Sequence, residues 1–134
     1  MLAVGQRLRR RDEFTSAIRT GRRSARGGVV LHIADRSGKA SVPDLVQPTV
    51  RAGFIVPKAV GGAVVRNRVR RQLRHLVRAR LADLPAGTDL VVRVLPAAVG
   101  RSYNQLGSDL SQALAAADRR ARADRPDGQR KGAT

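Results

Sequence analysis

Apolar residues near the start of the chain recur with a helical period. Phe14, Ala17 and Ile18 stand at i, i+3 and i+4, the spacing of one helix face. Asp12 and Glu13 occupy the first turn, where carboxylates suit the positive end of the helix dipole. Gly21 supplies a stop. The pattern predicts a helix over Arg11–Thr20, preceded by a basic segment, residues 1–10, that is expected to be loose. From residue 24 to 35 the texture changes. Val29, Val30, Leu31 and Ile33, with His32 among them, predict a strand. Residues 36–49 contain Ser37-Gly38, Pro43 and Pro48 and show little period, so they predict a long loop. Residues 50–56 form a second strand closed by Pro57. The two strands bracket the loop and are expected to be antiparallel neighbours.

The longest helical pattern follows Gly61-Gly62 and covers residues 63–83. Val65, Val69, Leu73, Leu76 and Val77 fall on one stripe. Asn67, Arg71, Arg74 and Arg78 lie opposite, and Arg66, Arg68 and Arg70 flank the boundary. Pro85 and Gly87 end the segment. Residues 89–95 predict another strand, stopped by Pro96. Ser102 and Gln105 have the S-x-x-Q spacing of a capping box. The helix they open sets Leu106, Leu110, Ala113, Leu114 and Ala117 on one stripe. The period stops after about Arg120, so residues 121–134 are expected to be a disordered basic tail. The order helix, strands, helix, strand, helix, with no internal repeat, predicts an α+β sandwich with helices packed on one small sheet. It fits a single domain over residues 1–120.

Composition adds a partner class to this fold class. The 134 residues carry 27 Lys+Arg against 10 Asp+Glu, a net charge of +17. Only Lys39, Lys58 and Lys131 are lysines. So large an excess repels itself and attracts polyanions. A hydrophobic share of 42% nevertheless argues for a packed core rather than disorder. With no cysteine, disulfide frameworks, thiolate metal sites and cysteine nucleophiles are excluded. The short apolar stretch at the start precedes its charges, the reverse of a secretory signal. No apolar run approaches the roughly 18 residues of a membrane span. A cytoplasmic protein with a nucleic-acid partner, and no membrane, is the expectation.

The charge is unevenly placed. Between Leu45 and Ala82 there is no acidic residue, but there are nine basic ones: Arg51, Lys58, Arg66, Arg68, Arg70, Arg71, Arg74, Arg78 and Arg80. A solvated helix face usually mixes signs at i, i+4. Here Arg66, Arg70, Arg74 and Arg78 repeat one sign at that spacing, an arrangement that a phosphate-rich partner would stabilise. Arginine suits the task, because its planar fork meets phosphate oxygens bidentately and stacks on bases. The glycine pair before the helix allows close backbone approach to an anion.

A protein-borne active site is harder to assemble. His32 and His75 lie on different elements without a sequence-local carboxylate, and read as structural residues or RNA contacts. No paired-carboxylate motif, H-E-x-x-H, Ca-binding loop or phosphate-binding G-x-x-x-x-G-K-[ST] is present. The aromatics are few: Phe14, Phe54 and Tyr103. Phe54 reads as core, and Phe14 as core or as a base-stacking surface. A general or ribosomal RNA-binding protein is the alternative from another class. A helix-turn-helix DNA binder fits poorly, because no second short helix joins the basic one by a tight turn.

The segment GFIVPKAVGGAVVRNRVRRQLR, from Gly53 to Arg74, resembles the protein component of bacterial ribonuclease P. That family carries the signature G-x-x-V-x-K-x-x-G-x-A-V-x-R-N-R-x-[KR]-R-x-[LI]-R. Lys58, Gly61, Ala63, Val64, Arg66, Asn67, Arg68, Arg70, Arg71 and Arg74 match it without a gap. An upstream R-L-x-x-x-x-E/D-F pattern is met by Arg7, Leu8, Glu13 and Phe14. The resemblance covers about residues 6–118, without the loop 37–48 or the tail. It implies an α-β-β-β-α-β-α sandwich like a ribosomal-protein domain, with a short extra strand around residues 22–25. It also implies a left-handed βαβ crossover, against the general right-handed preference. In such a complex the RNA subunit performs the hydrolysis with bound Mg2+, and the protein alone binds no cofactor. The resemblance implies that the partners are the catalytic ribonuclease P RNA and precursor tRNA, whose 5′ leader is removed. The resemblance assigns Lys58, Arg66, Asn67, Arg68, Arg70, Arg71 and Arg74 to the catalytic RNA. It assigns Phe14, Ile18 and His32 to a cleft for the leader. Ile18 and His32 stand where the family is often aromatic, so stacking is expected to be lost at one and weakened at the other. Ala59 replaces a residue that is often basic.

Overall fold

The structure is a computed structural model that describes Leu8, residues 11–35 and residues 50–123, the last five by their backbone. The expected loop 36–49 and the rest of the two ends lie outside the described residues. Seven main elements follow in order: α1 (Arg11–Thr20), β1 (Arg22–Arg26), β2 (Val29–Asp35), β3 (Arg51–Ile55), α2 (Ala63–Arg80), β4 (Thr88–Val94) and α3 (Tyr103–Ala123). Single 3₁₀ turns at Lys58–Val60, Leu81–Asp83 and Pro96–Gly100 punctuate the second half. The chain is α+β, with the α-β-β-β-α-β-α order that the resemblance implied. The strand β1, which periodicity alone did not announce, is present.

The four strands form one sheet in the order β1-β2-β4-β3. β2 pairs antiparallel with both β1 and β4, and β3 runs parallel to β4. The expectation that β2 and β3 are neighbours is therefore overturned: β4 lies between them. The composition of β4 explains its place. All of its residues but Arg93 are buried, because a central strand is flanked on both edges and largely covered on both faces, so its positions read mostly apolar. The crossover from β3 through α2 to β4 is what a parallel pair requires.

Alternation along β2 divides the core into two layers. Val29, Leu31 and Ile33 face α2 and α3, where they join Leu90, Val92, Val69, Leu73, Val77, Leu106 and Leu110. Phe54 packs against that same cluster, as expected. Ala34 and Val91 face the other way and join Leu8, Ala17, Phe14, Ile18 and Ile55 under α1. Leu8 corrects the expectation of a wholly loose beginning. It is only 7% exposed, and its N–H donates to the Ala52 carbonyl at 3.0 Å.

The helix ends follow their local chemistry. Ser102 and Gln105 close the expected capping box, with Gln105 N–H donating to Ser102 Oγ at 3.1 Å and Ser102 N–H to Gln105 Oε1 at 2.8 Å. α3 continues to Ala123, three residues beyond the expected stop. Its buried Asp109 holds the β1–β2 turn. Gly28 N–H donates to Asp109 Oδ2 at 3.1 Å, and Arg101 grips the same carboxylate through Nε and Nη2 at 2.5 and 2.8 Å. Gly27 has φ 53°, and a Cβ there would lie 2.3 Å from the Asp109 carboxylate. Both the turn and this close approach require glycine.

Candidate nucleic-acid interface

The nine basic residues of the acid-free stretch separate into two kinds. Arg51, on β3, is fully engaged: Nε and Nη2 each donate to Asp89 at 2.9 Å, and Nη1 donates to Glu13 at 2.5 Å. The Asp89 bonds raise the Arg51 guanidinium further above its already high range. This residue ties α1 to the sheet and is not available to a partner. Arg80 is spent in the same way, donating to the Leu76 and Gly107 carbonyls and to Ser111 Oγ. It staples α2 to α3.

The other seven have no carboxylate at ion-pairing distance among the described residues. Lys58 sits exposed in the 3₁₀ turn before α2. On α2, Asn67, Arg68, Arg71 and Arg78 are exposed, and Arg66, Arg70 and Arg74 are half-buried along one flank. The i, i+4 row of like charge therefore winds out from beside the core instead of standing wholly in solvent. Arg70 Nη1 donates to Asn67 Oδ1 at 3.0 Å. Arg66 Nε is buried with no hydrogen-bond partner among the described residues. Gly62 is the N-cap of the helix, which has no side-chain cap and no acidic residue in its first turn. All seven expected residues of the basic group thus come together on one helix and the turn that leads into it. Asn67, Arg70, Arg71 and Arg74 also line a surface cleft of about 530 Å³ together with His75. Val64, four residues before Arg68, is 83% exposed, an apolar side chain presented beside the arginines.

The second expected group lies on the opposite layer. Phe14 and Ile18 pack from α1 onto Val91, Ala34 and Ile55. The Phe14 ring covers Gly53, where a Cβ would stand 2.4 Å from two ring atoms. Only glycine lets the ring sit so close to β3. His32 occupies the same sheet face as Ala34, paired across strands with Val91 on one side and Arg23 on the other. It is 6% exposed, and its Nδ1 is buried without a hydrogen-bond partner among the described residues. Burial first, then the nearby Arg23 and Arg93, hold the imidazole below its ordinary range. A carboxylate is not among these influences, so the surroundings favour a neutral ring. Sequence reasoning missed Arg23 and Arg93. Strand alternation was the available signal, since both flank the His32 face once register is known.

Known proteins share this sequence pattern and this fold. The profile of the family Ribonuclease P matches residues 2–118. The chain belongs to the ribonuclease P protein family. It is 51% identical to a ribonuclease P protein component of Salinispora tropica, covering 87% of this chain and 93% of that one. A ribonuclease P protein component of Streptomyces avermitilis is 50% identical, with 85% and 93% covered. A mutant RNase P protein of Staphylococcus aureus superposes with a TM-score of 0.71 at 21% identity, over 84% of this chain and 88% of that one. That last likeness carries the fold. The family functions in removal of the 5′ leader of precursor tRNA, and the chain is a component of an endoribonuclease complex with an RNA partner.

Proposed function

We propose that the protein binds the catalytic ribonuclease P RNA through α2 and the turn before it, and takes the 5′ leader of precursor tRNA in the cleft between α1 and the sheet. Lys58, Arg66, Asn67, Arg68, Arg70, Arg71 and Arg74 then meet phosphates of the RNA subunit. Phe14, Ile18 and His32 form the floor and wall of the leader cleft. Hydrolysis belongs to the RNA subunit with Mg2+ held mainly by RNA, and the complex works in the cytoplasm. The observation that carries this reading is the sorting of the basic residues. Arg51, Arg80 and Arg101 are engaged within the fold, whereas the other arginines of α2 have no carboxylate at ion-pairing distance among the described residues.

Physically, such a face lowers the repulsion where two RNAs are brought together. Each arginine that meets a phosphate releases counterions, so binding weakens steeply with salt. At the proposed cleft, burial and the charges of Arg23 and Arg93 favour the neutral form of His32, and with no carboxylate charging the ring among the described residues the site does not support proton transfer. Reconstitution tests the reading. Purified protein is added to the cognate catalytic RNA and precursor tRNA at low magnesium. Stimulated 5′ leader cleavage is expected, and absence of stimulation overturns the assignment.

A further inference from the structure

We propose that the ring pair His75–Tyr103, at the far end of the exposed row of α2, accepts an unstacked base of the catalytic RNA while Arg71 and Arg74 hold the adjoining phosphate. The proposal rests on the reading that α2 faces that RNA, and it adds a binding point outside the R-N-R segment.

The exposed row runs Val64, Arg68, Arg71, His75, at i, i+4, i+7 and i+11. It ends against Tyr103, the first residue of α3, whose ring centroid lies 6.1 Å from that of His75 at an interplanar angle of 46°. Tyr103 is 39% exposed, whereas Leu106 and Leu110 further along its helix are wholly buried. A tyrosine that served only to pack α3 against α2 would bury its ring as those leucines do. Here an open aromatic surface adjoins the cleft lined by Asn67, Arg70, Arg71, Arg74 and His75. Every one of those side chains can donate a hydrogen bond, and none is a carboxylate. The cleft volume lies within the roughly 300–1,000 Å³ typical of small-ligand sites.

Nothing nearby neutralises this charge among the described residues. The first turn of α3 has no acidic residue, and Asp109, the first acid on that helix, is committed to Arg101 and Gly28. Tyr103 stands at the N-terminus of α3, the positive end of that helix's dipole, which adds to the positive potential. Cationic side chains for the backbone and a ring for the base are the combination that unpaired nucleotides need. An acidic peptide would use the arginines and leave the aromatic pair without a role.

The test measures affinity of the full chain for the cognate catalytic RNA across a salt series, for wild type and for Tyr103→Phe, Tyr103→Leu and Tyr103→Ala. Loss of one base stack predicts about tenfold weaker binding for the Leu and Ala variants, with Phe close to wild type. The salt slope stays unchanged, because the same phosphates are still neutralised. Tyr103→Leu keeps apolar volume at the helix junction, and thermal melts show that each variant is folded. If Leu binds as wild type does, the stacking proposal is overturned. If the Leu and Phe variants weaken binding alike, the ring does not act by stacking, and the proposal also fails. Wild type that shows no salt-dependent binding to this RNA would instead overturn the reading on which the proposal rests.

Discussion

Arg51 and Arg68 carry the same guanidinium on successive elements of one chain, and their surroundings are opposite. Arg51 is clamped by Asp89 and Glu13, and Arg101 is clamped by the buried Asp109. Arg68 stands exposed on a helix that contains no acid. The first kind does the internal work of joining α1 to the sheet and the β1–β2 turn to α3. The second kind has no carboxylate partner among the described residues, and like charges at helical spacing repel by a few tenths of a kcal/mol per step. A fold tolerates such a row when its charge is used elsewhere. The contrast separates arginines that hold the protein together from arginines that the proposed reading gives to an RNA partner.

The largest expected effect is at Arg101. Among the described residues Arg101→Ala leaves the buried Asp109 carboxylate with the Gly28 N–H alone, and removing one partner of a buried pair costs about 3 kcal/mol. Denaturant unfolding checks this, and a loss below about 1 kcal/mol would erase the distinction from the structural side. Gly53→Ala should come next. Its methyl group meets the Phe14 ring, and overpacking of this kind costs about 1–3 kcal/mol. The melting temperature should drop, while the salt dependence of RNA binding through α2 should not change. A change in both would mean that the two layers are not independent.

The smallest effect is a pH dependence set by His32. Its folded pKa lies below the ordinary 6.5. Well above 6.5 both folded and unfolded chains hold the ring neutral. As pH falls through about 6.5, the unfolded chain takes up a proton that the folded chain resists. Stability is therefore full above pH 6.5 and declines as pH drops toward the lower folded pKa. His32→Phe should flatten that part of the stability profile. An unchanged slope would show that the imidazole is not the group responsible.

Much of this arrangement was legible in the chain, for local reasons. The start of α2 at Ala63 and its apolar stripe follow from spacing, and the Ser102–Gln105 cap from a three-residue signature. The R-N-R segment located the basic face and the family. What was not legible depended on distant partners. Arg51 reads as one more cation of an acid-free run, yet Glu13 and Asp89 each reach it from 38 residues away. Nothing in the period of β2 and β3 says that β4 inserts between them; burial of both its faces decides that, and it needs the whole sheet. Leu8 hides in a basic segment because one apolar residue has no period. The partners of His32 likewise emerge only from cross-strand register.

The central claim is that the unpaired arginines of α2 are the RNA interface. The most direct test is the slope of log affinity against log salt for the catalytic RNA, comparing wild type with an Arg68→Gln, Arg71→Gln, Arg74→Gln variant. Each phosphate that is no longer neutralised takes roughly 0.7–0.9 off the slope, so the triple variant should show a slope smaller by about 2–3. Its melting temperature should hold or rise as like charges are removed. An unchanged slope with weakened folding would contradict the account, because it would place these arginines with Arg51 among the residues that serve the fold.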